Sequence, residues 1–287
     1  LNEKGDKMLL ELAIGDAYGA GFEFAPERAA QNTLERYLPH PRYASAPGSY
    51  TDDTQMSLAI AEALLAGGAW EPQLLADHML SAFRRDVREG YAEGFYRLLM
   101  GCASGGELLA ALRPTSDKNG AAMRACPLGV LPDVAAVLAY SRTQAAVTHD
   151  TPGGIASAQA VALLAHYFLY RRGPRAQAAA FLDAHVPGYG WGQPWAGVVS
   201  TNGVETARAA IGVVLSRESM SAMLRACVAL TGDTDTVAAI ALGVASCCEE
   251  VTRDLPAPLL DGLEQGPYGR AYLEQIDRRL LAMVVGG

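Results

Sequence analysis

The chain has 287 residues, half of them hydrophobic and 19% charged. That excludes a disordered protein, which lacks the apolar surface to offset ordering entropy, and a small stapled scaffold, because a chain this long buries about three quarters of its unfolded surface. The net charge is −8 and the arginine pairs at 84–85, 171–172 and 278–279 stand apart, so phosphate-driven nucleic-acid binding is disfavoured, though not excluded.

Read in chain order, the apolar run ahead of Asp16 is too short for a signal peptide. The longest apolar runs, 160–170 and 237–248, fall short of the ~20 residues that cross a bilayer. A cytoplasmic protein without a membrane anchor is expected. A first helix ends at Gly19–Gly21, with Asp16 among its apolar residues. A Pro/Gly-rich loop follows at 39–48. Over 55–66, Met56, Ala59, Ile60, Ala63 and Leu64 fall on one helical face. The segments 73–87, 133–142, 154–172, 175–185, 203–215, 219–230, 236–250 and 270–284 behave similarly. Val198-Val199-Ser200 is the one faint strand candidate. Five cysteines (Cys102, Cys126, Cys227, Cys247, Cys248) without a C-x-x-C spacing read as reduced thiols buried in helices. The expectation is an all-α chain, one compact domain over 1–287, with a helix-lined cleft and function on its long loops.

Two loop-to-helix junctions look alike. Thr51-Asp52-Asp53-Thr54 precedes the helix at 55–66, and Asp233-Thr234-Asp235-Thr236 precedes an Ala-rich helix about 180 positions later. Helix capping is the plain explanation of either one. Together they supply more acid than capping needs, and like charges ~5 Å apart repel by about 3 kcal/mol at an effective dielectric of 20. A bound dication removes that cost. Oxygen donors without nearby Cys or His suit Mg²⁺, Mn²⁺ or Ca²⁺ rather than zinc. The inference requires the two junctions to meet in space.

The set GDAYGAGFEF (15–24), YTDDT (50–54), NGAAMRACPLG (119–129), THDTP (148–152) and TGDTDTVAAIALG (231–243) resembles the ADP-ribosylglycohydrolases, which include hydrolases of ADP-ribosyl-arginine or -serine and the dinitrogenase reductase activating enzyme. The resemblance implies an all-α, orthogonal helical fold with two divalent cations, Mg²⁺ or Mn²⁺, at the base of an ADP-ribose cleft. It implies Thr51, Asp52, Asp53, Asp233, Asp235 and Thr236 as metal ligands, and Glu23, with Asp52 and Asp53, as the catalytic carboxylates. Ser116, Asp117, Lys118, Asn119, Gly120 and His149 would bind the substrate. Lys118 stands where many members have glycine, which suits either pairing with the diphosphate or an altered distal pocket.

Other residues admit two explanations. Asp16 is a buried acceptor that orients the metal site or an ordinary hydrogen-bonded acid. Arg124 is a phosphate ligand or half of a structural ion pair. His149-Asp150 suggests an HD-type phosphohydrolase, but Pro152-Gly153-Gly154 would break the helix that such a doublet needs. His40, His78, His166 and His185 are scattered. Trp191 and Trp195, in a Gly/Pro-rich loop with Tyr189, stack on a base or partner or simply pack on the core. Tyr91 and Tyr96 are secondary candidates for the distal ribose or adenine. The resemblance thus implies a metal-dependent hydrolase of an N- or O-glycosidic bond, freeing ADP-ribose from a modified protein side chain, with arginine first and serine or threonine next. The alternatives are a non-catalytic ADP-ribose binder and a hydrolase of ADP-ribosylated nucleic acid or small metabolites.

Overall fold

The computed structural model describes residues 7–285. The ends of the expected 1–287 domain, residues 1–6 and 286–287, lie outside the described residues. Among the described residues the chain is helical, with isolated β-bridges and no sheet. The first half holds α1 (Met8–Ala20), α2 (Asp52–Ala66), α3 (Pro72–Arg85), α4 (Glu93–Gly101), α5 (Gly105–Ala111), α6 (Gly120–Met123) and α7 (Val134–Ala146). The second holds α8 (Pro152–Leu169), α9 (Ala178–His185), α10 (Gly203–Ser216), α11 (Met220–Leu230), α12 (Thr234–Ala245), α13 (Ala257–Gly262) and α14 (Arg270–Val285).

The periodic segments all become helices, with shifted ends. Helix α8 starts at Pro152, whose missing N–H costs nothing at a first turn. Helices α4, α5, α6 and α13 are additions, too short for periodicity to reveal. Val199 makes a single bridge to Gly232 rather than a strand. The cysteines are buried and unpaired as expected, but only Cys227 lies within an α-helix; Cys247 and Cys248 follow the end of α12.

Every residue of α1 and α12 is buried, as expected of helices that are apolar nearly all round. They form the centre of the fold, and two glycines set how closely they meet. A Cβ on Gly15 would fall 2.3 Å from the carbonyl oxygen of Ala238, and one on Gly19 would fall 2.5 Å from Cα of Asp235. The hydroxyl of Thr234 then donates to the carbonyl of Gly19 at 2.8 Å. The end of α1 is thereby locked against the acidic first turn of α12. Gly19→Ala is expected to destabilise the fold by about 1–3 kcal/mol through overpacking, read as a lower denaturation midpoint. An unchanged midpoint would contradict this contact.

The other end of α1 is held from α14, where the Asp277 carboxylate accepts from the backbone N–H groups of Leu9 and Leu10 at 2.8 and 3.1 Å. Burial pushes Asp277 up to about 7. Neighbouring Glu11 is pushed up to about 8, by burial first and by Asp277 second.

Candidate active site

The two acidic junctions meet. Helices α2 and α12 begin side by side, and their first turns form the floor of a cleft of about 650 Å³. Asp52, Asp53, Asp233, Asp235 and Thr236 line it, joined by Glu23 from the loop after α1. One oxygen each from Asp16, Asp53 and Asp235 lies within 4.8 Å of the others, and the same holds for Glu23, Asp233 and Asp235. Asp235 thus belongs to both groups.

Hydrogen bonds aim these acids. Asp16 accepts from the backbone N–H and hydroxyl of both Thr51 and Thr54, at 2.6–3.1 Å. It is the acceptor that shapes the Thr51–Thr54 turn, and it occupies the Thr51 hydroxyl from behind the cleft. On α12, Thr236 Oγ1 donates to Asp233 Oδ1 at 3.0 Å, and Asn119 Nδ2 donates to Asp233 Oδ2 at 2.8 Å. The chain reverses ahead of α12 through Thr231 and Gly232, both with positive φ (60° and 83°), and N–H of Asp233 is tied to the carbonyl of Val199 at 3.0 Å.

The electrostatics of the floor favour a cation. Asp52, Asp53 and Asp235 are pushed well above the usual carboxylate range, first by burial and then by one another and by Asp16 and Glu23. Asp233 is raised by burial, with its hydrogen bonds opposing. Asp53 Oδ1 is buried with no hydrogen-bond partner, in a protein interior where such atoms are normally satisfied. A divalent cation would satisfy that oxygen and offset the repulsion, and the oxygen-only donor set fits a hard ion.

Of the expected substrate residues, Ser116, Lys118, Asn119, Gly120 and His149 line the cleft. Asp117 does not: its carboxylate lies beside Gly153, at the start of α8. Asn119 turns its side chain inward, to Asp233 and to Thr206 Oγ1 at 3.1 Å, and so orients an acid of the floor. The helix that follows it is a single turn. His149 sits over Gly120. Burial, then the charges of Arg124 and Lys118, push its imidazole down to about 3, so it is neutral. Arg124 also lines the cleft, and in place of an ion pair it donates from Nε and Nη2 to Gln144 Oε1, the Gln144 carbonyl and Thr148 Oγ1 at 2.7–2.9 Å. The same Thr148 hydroxyl lies 2.6 Å from His149 Nδ1, so Arg124, Thr148 and His149 form one hydrogen-bonded chain.

Trp191 is fully buried and donates to the Val186 carbonyl at 2.7 Å, so it packs on the core. Trp195 lies in a groove on α10 and α11, outside the cleft. Tyr91 lines the cleft with its hydroxyl tied to Gln55 Oε1 at 2.5 Å, whereas Tyr96 packs edge-on against Phe83. His149-Asp150 precedes α8 rather than lying within it, which removes the HD reading.

Sequence reasoning missed His40, Arg42 and Tyr43, all in the loop at 39–48. His40 Nδ1 accepts from the backbone N–H of Arg42 and Tyr43 at 3.0 and 3.1 Å, and Nε2 lies 2.8 Å from Glu23 Oε2. With Nδ1 an acceptor, Nε2 carries the proton and donates to Glu23, a bond that favours the ionised carboxylate. Burial alone would raise Glu23, but the bonds from His40 and Arg42 outweigh it and hold the carboxyl below its usual range. The only signal of this cluster was an aromatic and basic stretch inside a proline-rich loop.

The description ADP-ribosylglycohydrolase belongs to the family model that matches residues 2–286. The ADP-ribosyl-[dinitrogen reductase] glycohydrolase of Rhodospirillum rubrum is 28% identical over 282 residues, covering 94% of this chain and 93% of that protein. The ADP-ribosylarginine hydrolase Tri1 of Serratia proteamaculans is 25% identical over 177 residues, covering 58% of this chain and 48% of its own length. A solved structure titled ADP-ribosylglycohydrolase-related protein complex superposes with a TM-score of 0.74 at 25% identity, over 99% of each chain. Among the described residues no helix is long and apolar enough to cross a membrane. With the fold, the paired acidic turns and the whole-length match in agreement, the chain belongs to the ADP-ribosylglycohydrolase family and is a glycosidic-bond hydrolase that removes ADP-ribose.

Proposed function

We propose that this hydrolase is divalent-cation-dependent and frees ADP-ribose from a modified protein side chain, arginine ahead of serine or threonine. The observation that carries the proposal is the convergence of buried acids in two groups that share Asp235, one with Asp16 and Asp53 and the other with Glu23 and Asp233, beside the unpartnered Asp53 Oδ1. Thr51, Asp52, Asp53, Asp233, Asp235 and Thr236 would hold two ions, Mg²⁺ or Mn²⁺, which would supply Lewis-acid polarisation of the bound sugar. The names of the Rhodospirillum and Serratia relatives, one specifying a modified protein and the other ADP-ribosylarginine, favour a protein target and an arginine linkage.

The chain's own residues divide the remaining work. His149 and Lys118 line the cleft, where an anionic diphosphate would meet both. Glu23, held ionised by His40 and Arg42, is the base for the attacking water. The surrounding carboxylates stabilise positive charge developing on the ribose as the glycosidic bond lengthens.

Incubation with arginine-, serine- and threonine-linked ADP-ribosyl peptides and with ADP-ribosylated DNA, in Mg²⁺ or Mn²⁺ and then in EDTA, tests this. Cation-dependent release from the arginine-linked peptide is expected to be fastest. Equal release in EDTA would overturn the cation requirement. Preference for modified DNA would overturn the protein target, and tight ADP-ribose binding without release from any substrate would indicate a binder.

A further inference from the structure

The two oxygens of Glu23 have partners of different character. Oε2 is bonded to the ring of His40, a buried imidazole. Oε1 accepts from the guanidinium of Arg42, whose side chain is 49% exposed at the mouth of the cleft. The same guanidinium carbon lies 5.3 Å from the ring centroid of Phe24 and 5.5 Å from that of Tyr43. An ionised carboxylate flanked by aromatic faces is the chemistry that recognises a guanidinium.

The aromatic part of this cage is held in place at some cost. Phe24 has φ of 48°, a left-handed conformation that a bulky side chain seldom adopts. Its N–H is fixed to the carbonyl of Gly232 at 2.8 Å, and the residue remains 43% exposed on the cleft wall. Core packing does not explain an exposed ring on a strained backbone, whereas presentation to a ligand does. The Tyr43 ring is steadied by the His40 ring, 4.5 Å away.

We propose that Glu23, Phe24 and Tyr43 form a guanidinium subsite at the cleft mouth, filled by the chain's own Arg42 at rest and by the arginine of an ADP-ribosylated target during hydrolysis. The proposal rests on reading the cleft as an ADP-ribose site. On exchange, Oε1 trades one guanidinium for another while His40 keeps Oε2, so the carboxylate stays where it is. Hydrolysis then breaks the bond from the anomeric carbon to the guanidino nitrogen and forms a bond from that carbon to water oxygen. Glu23 takes one water proton and passes it to the departing nitrogen, which keeps the bonding electron pair.

The test uses agmatine as a guanidinium probe and ADP-ribose as a control, by calorimetric titration of wild-type protein, Arg42→Ala and Arg42→Gln, each with Mg²⁺. Removing the internal competitor is expected to tighten agmatine binding on the order of tenfold and to leave ADP-ribose binding within about twofold. KM for an arginine-linked ADP-ribosyl peptide should fall relative to that for a serine-linked one. Adding Phe24→Ala to Arg42→Ala should abolish the gain. Agmatine affinity that is unchanged or weaker in both Arg42 variants, with ADP-ribose still bound, overturns the subsite alone. Loss of ADP-ribose binding in wild-type protein overturns the reading beneath it. The glutamine variant keeps the test decisive if alanine impairs folding, which thermal melting monitors.

Discussion

Asp53→Asn combined with Asp235→Asn is expected to lower ADP-ribose release by ~10³-fold or more, since a bound cation supplies several kcal/mol of charge stabilisation. The same double variant should melt at a higher temperature than wild-type protein when both are free of cations. Both carboxyls resist ionisation because they are buried and crowded by other acids, and the amides remove charge with little change of shape. Mg²⁺ or Mn²⁺ should raise the melting temperature of the wild-type protein and not that of the variant. The pH dependence follows the same logic. An acid whose folded pKa lies above its unfolded value keeps its proton longer in the folded state, so stability falls as pH rises from the ordinary carboxylate range through the raised value. Cation-free wild-type protein should therefore lose stability on going from mildly acidic to alkaline pH. The double variant should retain only a shallower decline, to which Asp277 and Glu11, raised to about 7 and about 8, contribute with the same sign. A variant that hydrolyses at the wild-type rate, or still gains melting temperature from Mg²⁺, would show that the acids do not hold the ion.

Glu23→Gln should separate chemistry from ion binding. Turnover is expected to fall by roughly 10²–10⁴-fold, the range for loss of a positioned general base, while the melting-temperature gain with Mg²⁺ persists. The amide oxygen can still accept from His40 Nε2, which keeps the side chain oriented. The amide nitrogen cannot accept from water or from Arg42. Wild-type turnover in this variant would leave Glu23 as a structural partner of His40 and Arg42. Loss of the Mg²⁺ response would instead make it an ion ligand.

The acidic floor was legible because each half of it is local. Thr51 to Asp53 and Asp233 to Thr236 each sit within one helical turn, so sequence spacing carries their geometry, and only their meeting in space had to come from the fold. The glycines at 15 and 19 do act in that meeting, although the sequence does not reveal that they face Ala238 and Asp235. Asp16 was half legible: a buried acid among apolar residues was evident, but four donor groups on Thr51 and Thr54, more than 30 positions away, were not. Asn119 was legible as a candidate substrate contact, but not its bracing of Asp233, because a tertiary hydrogen bond leaves no periodic trace. The His40–Arg42–Tyr43 cluster was hidden most completely, since irregular loops encode their contacts in no repeat at all. Trp191, open from the sequence between a stacking platform and core packing, is buried, which decides for the core.

The interlocked glycine seam between α1 and α12 has a kinetic consequence. Where backbone meets backbone without intervening side chains, neither helix can slide or roll without a steric collision, so the acidic floor behaves as a fixed anvil. Whatever breathing admits a bulky target and discharges product is then left to the cleft's walls, among them the stretch between α1 and α2, where Glu23, Phe24, His40, Arg42 and Tyr43 reside. Stiffening that stretch, for instance with a cross-link from the 39–48 turn to α4, should throttle turnover traffic without disturbing the floor beneath it.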